Sequence, residues 1–188
     1  MSNNIRNVVL MGKTGNGKSS TGNSILMQRG AFKEAGLFGG VTQSSEMKST
    51  KITDPNDHQE YTVNVVDTPG LFDGTTTITQ VSKEIVRCMT LAKEGIHAFL
   101  TVLKIGQRFS EEEAKAIDHL ETLFGPEAVD RMIVVFTRAD DLESPEQWAH
   151  MLSTAPPLLQ VSFPRTMHIM YFFNDILTDC NRTRIPDL

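Results

Sequence analysis

The sequence predicts an α/β fold in three layers, a mostly parallel central sheet with helices on both faces, and three observations carry that prediction. Apolar runs and amphipathic stretches alternate along the chain, as strand–helix repeats require. Two of the runs, Ala98 to Leu103 and Met132 to Phe136, are nearly continuous in apolar residues, the pattern of strands covered on both faces. Turn residues stand where the runs stop, including Asp67-Thr68-Pro69-Gly70 and Gly125-Pro126.

Asn7 to Met11 is a short apolar run that ends at a glycine; after the polar loop that follows, helical spacing resumes from Ser19 to Gln28. Tyr61 to Val66 alternates and reads as a second strand, and a helix is expected from about Ile78 to Lys93. Between the two apolar runs, Ser110 opens a helix with Glu113 as its capping-box partner, and Gly125-Pro126 closes it. Beyond Ser144 the prolines at 145, 156, 157 and 164 interrupt any long helix, and Met167 to Phe173 alone again reads as a strand. No closing amphipathic helix follows, so the C-terminal helix is expected to be missing or short. The chain is expected to form a single domain over residues 1–188, because 188 residues suffice for one full core and fall short of two ordinary ones.

Composition narrows the function classes. A net charge of −5 gives no basic footprint, which excludes nucleic-acid binding by phosphate neutralisation and means that any anionic ligand is captured locally. Cys88 and Cys180 lack a CxxC spacing and fit buried thiols in a reducing compartment. No basic segment leads into an apolar run at the N-terminus, and the stretch Ile96 to Ile105 is too short to span a bilayer. The expected location is the cytoplasm, with no transmembrane segment; peripheral membrane association stays open.

The chemistry begins at Gly12-Lys13-Thr14-Gly15-Asn16-Gly17-Lys18-Ser19, a GxxxxGK[ST] pattern between a strand and a helix. Its glycines let successive backbone N–H groups turn inward as a nest for phosphate oxygens, and the helix dipole adds positive potential. Lys18 is expected to reach the β- and γ-phosphates, and Ser19, followed by Ser20, to offer a hydroxyl to Mg²⁺. Asp67, in Asp67-Thr68-Pro69-Gly70, stands at the carboxyl end of a strand, where it can hold Mg²⁺ through water while the Gly70 N–H meets the γ-phosphate. Thr42 is the candidate for a threonine that closes on the metal.

Thr137-Arg138-Ala139-Asp140 follows the strand ending at Phe136 and is similar to the [NT]KxD box that reads guanine. Asp140 can accept from N1–H and the exocyclic amine of guanine, a donor pair that adenine lacks. The stem of Arg138 can cover one face of the base. Asn174 is suited to its other edge.

Together these segments resemble the AIG family of septin-like P-loop GTPases, called GIMAP in vertebrates and IAN in plants, with wording closest to the plant members. The resemblance is strong over residues 8–143 and weak after 144. It rests on Gly12 to Leu26, Asp67 to Asp73, Phe136 to Leu142, and a box found between the last two, Gly95-Ile96-His97-Ala98-Phe99-Leu100 through Arg108-Phe109-Ser110-Glu111-Glu112-Glu113, which ordinary GTPases lack. The resemblance implies a Ras-like G domain that binds GTP and GDP with Mg²⁺, nucleotide-dependent homodimerisation, and a role in defence or stress responses. The C-terminal extension, coiled coil or membrane anchor of many relatives is not expected here.

Leu71 stands where many small GTPases carry the glutamine that orients the attacking water, so intrinsic hydrolysis is expected to be slow. Arg108, supplied in trans across a dimer, is the candidate that accelerates it. The alternative is a nucleotide-bound oligomerisation scaffold that does not hydrolyse. His97, between apolar neighbours, reads as a core or rim histidine rather than a base.

Overall fold

The computed structural model describes residues 4–34, 42–71, 73, 76–106, 110–141, 144, 147, 150, 153 and 169–171. They form a six-stranded sheet in the order β2-β3-β1-β4-β5-β6. The strands are β1 (Ile5–Met11), β2 (Glu46–Thr53), β3 (Glu60–Asp67), β4 (Ala98–Lys104), β5 (Met132–Thr137) and β6 (Ile169–Tyr171). All neighbours pair in parallel except β2, which runs antiparallel to β3. The helices are α1 (Lys18–Ile25), α2 (Ile78–Leu91), α3 (Glu111–Phe124) and the short α4 (Glu127–Asp130).

Alternation along β1 produces the layers. Val9 and Met11 point into a core with Val66, Leu71, Cys88, Phe99 and Leu120, while Leu10, one position out of phase, joins Leu26, Phe32, Val65, Val102 and Val135 on the opposite face. Helices α2 and α3 supply the first cluster and α1 backs the second. Residues 65–67 at the carboxyl end of β3 are all fully buried, so that end of the sheet is a rigid platform for the loops that leave it.

Caps explain the helix limits. Ser110 and Glu113 form the expected capping box at α3, and Gly125 takes up a positive φ at its end. Thr77 and Gln80 form a second capping box at α2, which ends at Leu91, short of Lys93. α1 also ends early, at Ile25 rather than Gln28, because Met27 adopts φ 53° and Asn23 turns back to hold Phe32 through both its backbone groups. Gly22 lies where a Cβ would approach two Phe32 ring carbons to 2.8 Å, so α1 and the Phe32 ring pack more closely than any side chain at 22 would allow.

β2 was absent from the periodic signal. Its sequence, EMKSTKIT, carries only Met47 and Ile52 as large apolar residues, and lysines 48 and 51 pair with Glu46 and Glu60 at 2.6 and 2.7 Å. This is the charged composition by which an edge strand resists pairing with other chains, and it reads as a loop to any hydrophobic count. The strand expected over Met167 to Phe173 is represented by β6; the expectation of a missing or short C-terminal helix falls outside the described residues. No helix among the described residues is long and apolar enough to cross a membrane.

Candidate functional site

The loop between β1 and α1 wraps back over the carboxyl end of the sheet. Gly12, at φ 143°, lies so close to the Val102 carbonyl that a Cβ there would collide with it, and Gly17, at φ 91°, is the left-handed N-cap of α1. From below, the loop is pinned by polar side chains. Asn16, almost fully buried, donates through Nδ2 to the Val102 carbonyl (3.0 Å) and to Glu113 Oε1 (3.4 Å), and the Thr137 hydroxyl donates to the Asn16 carbonyl (2.8 Å). Lys13 Nζ stands 3.9 Å from Glu113 Oε2.

Lys18 is buried, and its ammonium donates to the carbonyls of Gly12 (3.0 Å) and Lys13 (2.9 Å), which aims it into the bowl of the loop. Burial pushes this ammonium below the usual lysine range, against the opposing pull of the Asp67 and Asp73 carboxylates. Such a cation is poorly hydrated, and an anion brought beside it interacts strongly in the low local dielectric.

The three expected metal-site residues meet on one atom. Asp67 Oδ2 accepts from the Ser19 hydroxyl at 2.7 Å and from the Thr42 hydroxyl at 3.2 Å, joining the start of α1, the segment before β2 and the end of β3. Asp67 is 1% exposed, and its other oxygen, Oδ1, has no hydrogen-bond partner among the described residues. Burial raises its carboxyl above the ordinary carboxylate range despite the hydroxyls and Lys18. A buried carboxylate with a spare oxygen and two hydroxyls beside it is a fitting donor set for a partly hydrated Mg²⁺, which takes few protein ligands and keeps its waters.

Ser20, in the first turn of α1, donates its hydroxyl to Glu34 Oε2 at 2.7 Å. Thr14 and Gly15 are exposed at the rim of the loop. Gly70 passes so close to Thr14 that a Cβ on it would run into the threonine hydroxyl and lie 2.8 Å from its nitrogen, which brings the Asp67-Gly70 turn against the phosphate loop. Leu71 turns the other way, 3% exposed in the core with Val66 and Phe99.

Thr137 ends β5 and spends its hydroxyl on the phosphate loop and the Leu103 carbonyl, so this residue fastens the two boxes to each other. Arg138 follows at φ 57°, exposed, and begins a 3-10 turn (Ala139–Asp141) in which Ala139 is buried and Asp140 is exposed to solvent. The left-handed step at Arg138 turns the chain so that Ala139 faces inward while Arg138 and Asp140 remain outside. Arg108 and Asn174 lie outside the described residues. His97 sits on the far rim of the sheet, its Nδ1 accepting from the Asn7 N–H at 3.0 Å, well separated from the loop by the length of β1.

Two contributors were not legible as site residues. Glu113, read as a cap and as the last residue of the box that ends at it, also reaches Asn16 and Lys13. Ser45, fully buried, donates its N–H and hydroxyl to Glu84 Oε2 on α2 (2.8 and 2.6 Å) and accepts from Arg87 Nε at its carbonyl (2.9 Å), fixing the chain just after Thr42.

The sequence matches the AIG1 family over residues 6–180. It is 42% identical over 180 residues to immune-associated nucleotide-binding protein 9 of Arabidopsis thaliana, covering 95% of this chain and 51% of that protein. It is 46% identical over 147 residues to immune-associated nucleotide-binding protein 10 of the same plant, covering 78% of this chain and 30% of the relative. The chain thus spans about half of the length of the first relative and less of the second. Among solved structures, Toc33 from Arabidopsis thaliana in complex with Mg²⁺ and GMPPNP shares the fold at a TM-score of 0.62 and 22% identity, over 89% of this chain and 71% of that one.

Proposed function

From its place in the AIG1 family, to which this chain belongs, we propose that it is a guanine-nucleotide-binding switch with slow GTP hydrolysis assisted by a second copy of itself. The observation that carries the reading is the meeting of Ser19 and Thr42 on Asp67 Oδ2 beside the buried Lys18. Thr42 belongs to a segment separate from both the loop and β3, so a ligand that competes for these hydroxyls also repositions that segment.

In this reading the loop N–H groups and Lys18 hold the phosphates, and Ser19, Thr42 and Asp67, the last through water, hold Mg²⁺. When bound, the metal neutralises charge on the terminal phosphates. Gly70, lying against Thr14, offers its N–H near the terminal phosphate. Asp140 selects guanine, Arg138 covers the base, and Asn174 completes its other edge. Arg108 acts in trans, and an arginine so placed accelerates hydrolysis by roughly 10³ to 10⁵. The single G domain, the cytoplasmic location and a role in defence are part of the same proposal; the names of the immune-associated relatives support the last.

Titration with GDP, GTP and ATP in the presence of Mg²⁺ tests the binding reading: guanine nucleotides bind, ATP does not, and Asp140→Asn removes the discrimination. Equal affinity for ATP in the unaltered protein sinks the assignment of Asp140. A second reading, a nucleotide-bound scaffold without hydrolysis, is favoured by the burial of Leu71, which leaves that position unable to orient a water. Phosphate release that stays at background over a wide range of protein concentrations establishes the scaffold and overturns the enzyme.

A further inference from the structure

Asp73 lies directly on the phosphate loop. The Thr14 N–H donates to its Oδ1 at 2.9 Å, and the Thr14 hydroxyl donates to its Oδ2 at 2.5 Å, so a single loop residue engages both carboxylate oxygens. Gly70 completes the contact: a Cβ built there would run into Asp73 Oδ2 as well as the Thr14 hydroxyl, so the absence of a side chain at 70 is what lets the carboxylate reach the loop. Its charge is felt at Lys18, the cation of the loop, together with that of Asp67.

A carboxylate and a terminal phosphate are both anionic acceptors, and both are satisfied by N–H and hydroxyl donors on such a loop. Placed side by side in a partly desolvated site they repel. We propose that Asp73 is a specificity-determining residue that sets the preference between nucleoside diphosphate and triphosphate, by holding the Thr14 donors and opposing a third phosphate at the mouth of the loop. A diphosphate, held deeper by Lys18 and the α1 N-terminus, leaves the Asp73–Thr14 contact in place. A triphosphate displaces it.

The inference rests on the guanine-nucleotide reading above, and the experiment separates the two. Affinities of GDP and of a non-hydrolysable GTP analogue are measured with Mg²⁺ for the unaltered protein, Asp73→Asn and Asp73→Ala. Both variants are expected to tighten the analogue on the order of tenfold, equivalent to ~1.4 kcal/mol, while GDP affinity changes less than about threefold. Equal changes for the two nucleotides, or selective weakening of the analogue, overturn the role of Asp73 while leaving the nucleotide reading standing. If the unaltered protein binds neither nucleotide, the site assignment fails and the role of Asp73 fails with it.

Discussion

Replacing Asp67 by asparagine is expected to stabilise the ligand-free protein and to cripple its response to nucleotide, two effects of opposite sign in one variant. The carboxylate is 1% exposed, lies near the like charge of Glu46, and leaves Oδ1 without a partner among the described residues. An unsatisfied buried polar group costs about 1–3 kcal/mol, and more when charged. Asparagine keeps an oxygen for the Ser19 and Thr42 hydroxyls and removes the charge, but its amide hydrogens then face the empty side. The lower part of the range therefore applies, about 1 kcal/mol, or an increase of roughly 2–4 °C in melting temperature for a chain of this size. With GDP and Mg²⁺ at a hundred times Kd, the unaltered protein gains ~2.7 kcal/mol from mass action; a hundredfold loss of affinity in the variant cuts that to about 0.4 kcal/mol, near 1 °C. Thermal melts of both proteins, with and without the ligand, give all four values. A variant that melts below the parent without ligand refutes the buried-charge argument, and an undiminished ligand shift removes Asp67 from the metal site.

Two further expectations follow from the same contacts. Ser110→Ala removes the α3 cap and is expected to cost about 1 kcal/mol, whereas Glu113→Ala also strips one of the partners of Asn16 and should cost about 2 kcal/mol; equal losses in urea denaturation would reduce Glu113 to a cap. His97 provides the pH dependence. Burial, then the nearby Arg6 and Arg131, hold its imidazole below the ordinary 6.5, so the unfolded chain takes up the proton first as pH falls. The stability it contributes is complete above about pH 6.5 and is lost as pH drops through the lower folded-state value. His97→Gln, followed by melting from pH 7.5 to 5, should flatten this slope, which is small because the ring is only half-buried; an unchanged slope assigns it to other groups.

Much of the candidate site's framework could be read from the chain because a glycine-rich loop depends on backbone shape. Gly12, Gly17 and Gly70 mark places where the main chain must turn or approach another segment, and a glycine at such a place is visible in sequence. The carboxyl-end positions of Asp67 and Thr137 were legible for a related reason: the alternating run Tyr61 to Val66 and the continuous apolar run Met132 to Phe136 announce their strands, and the residue after each stands at the carboxyl end of the sheet. Edge strand β2 was not legible, since its lysines and serines are selected to discourage pairing rather than to fill a core. The early end of α1 was also hidden, because Asn23 and Phe32 close it through contacts across nine positions.

What the sequence determined by itself was therefore the order of the core strands and longer helices, without edge strand β2, the three-layer class and the glycine-marked loop proposed to hold phosphates, all consequences of local periodicity and backbone freedom. Only the tertiary structure decided which distant side chains meet. Ser19, Thr42 and Asp67 converge because three loops leave the same end of the sheet. Glu113 changes from a helix cap into a support for the phosphate loop because α3 begins beside Asn16. Asp73, which in the sequence closes the Asp67 to Asp73 motif without any assigned contact, comes to rest on Thr14, fifty-nine positions away, because Gly70 has no side chain to keep it off. Local preferences set the elements, while contacts between residues far apart in the chain depend on how those elements pack, and packing is a property of the whole sheet.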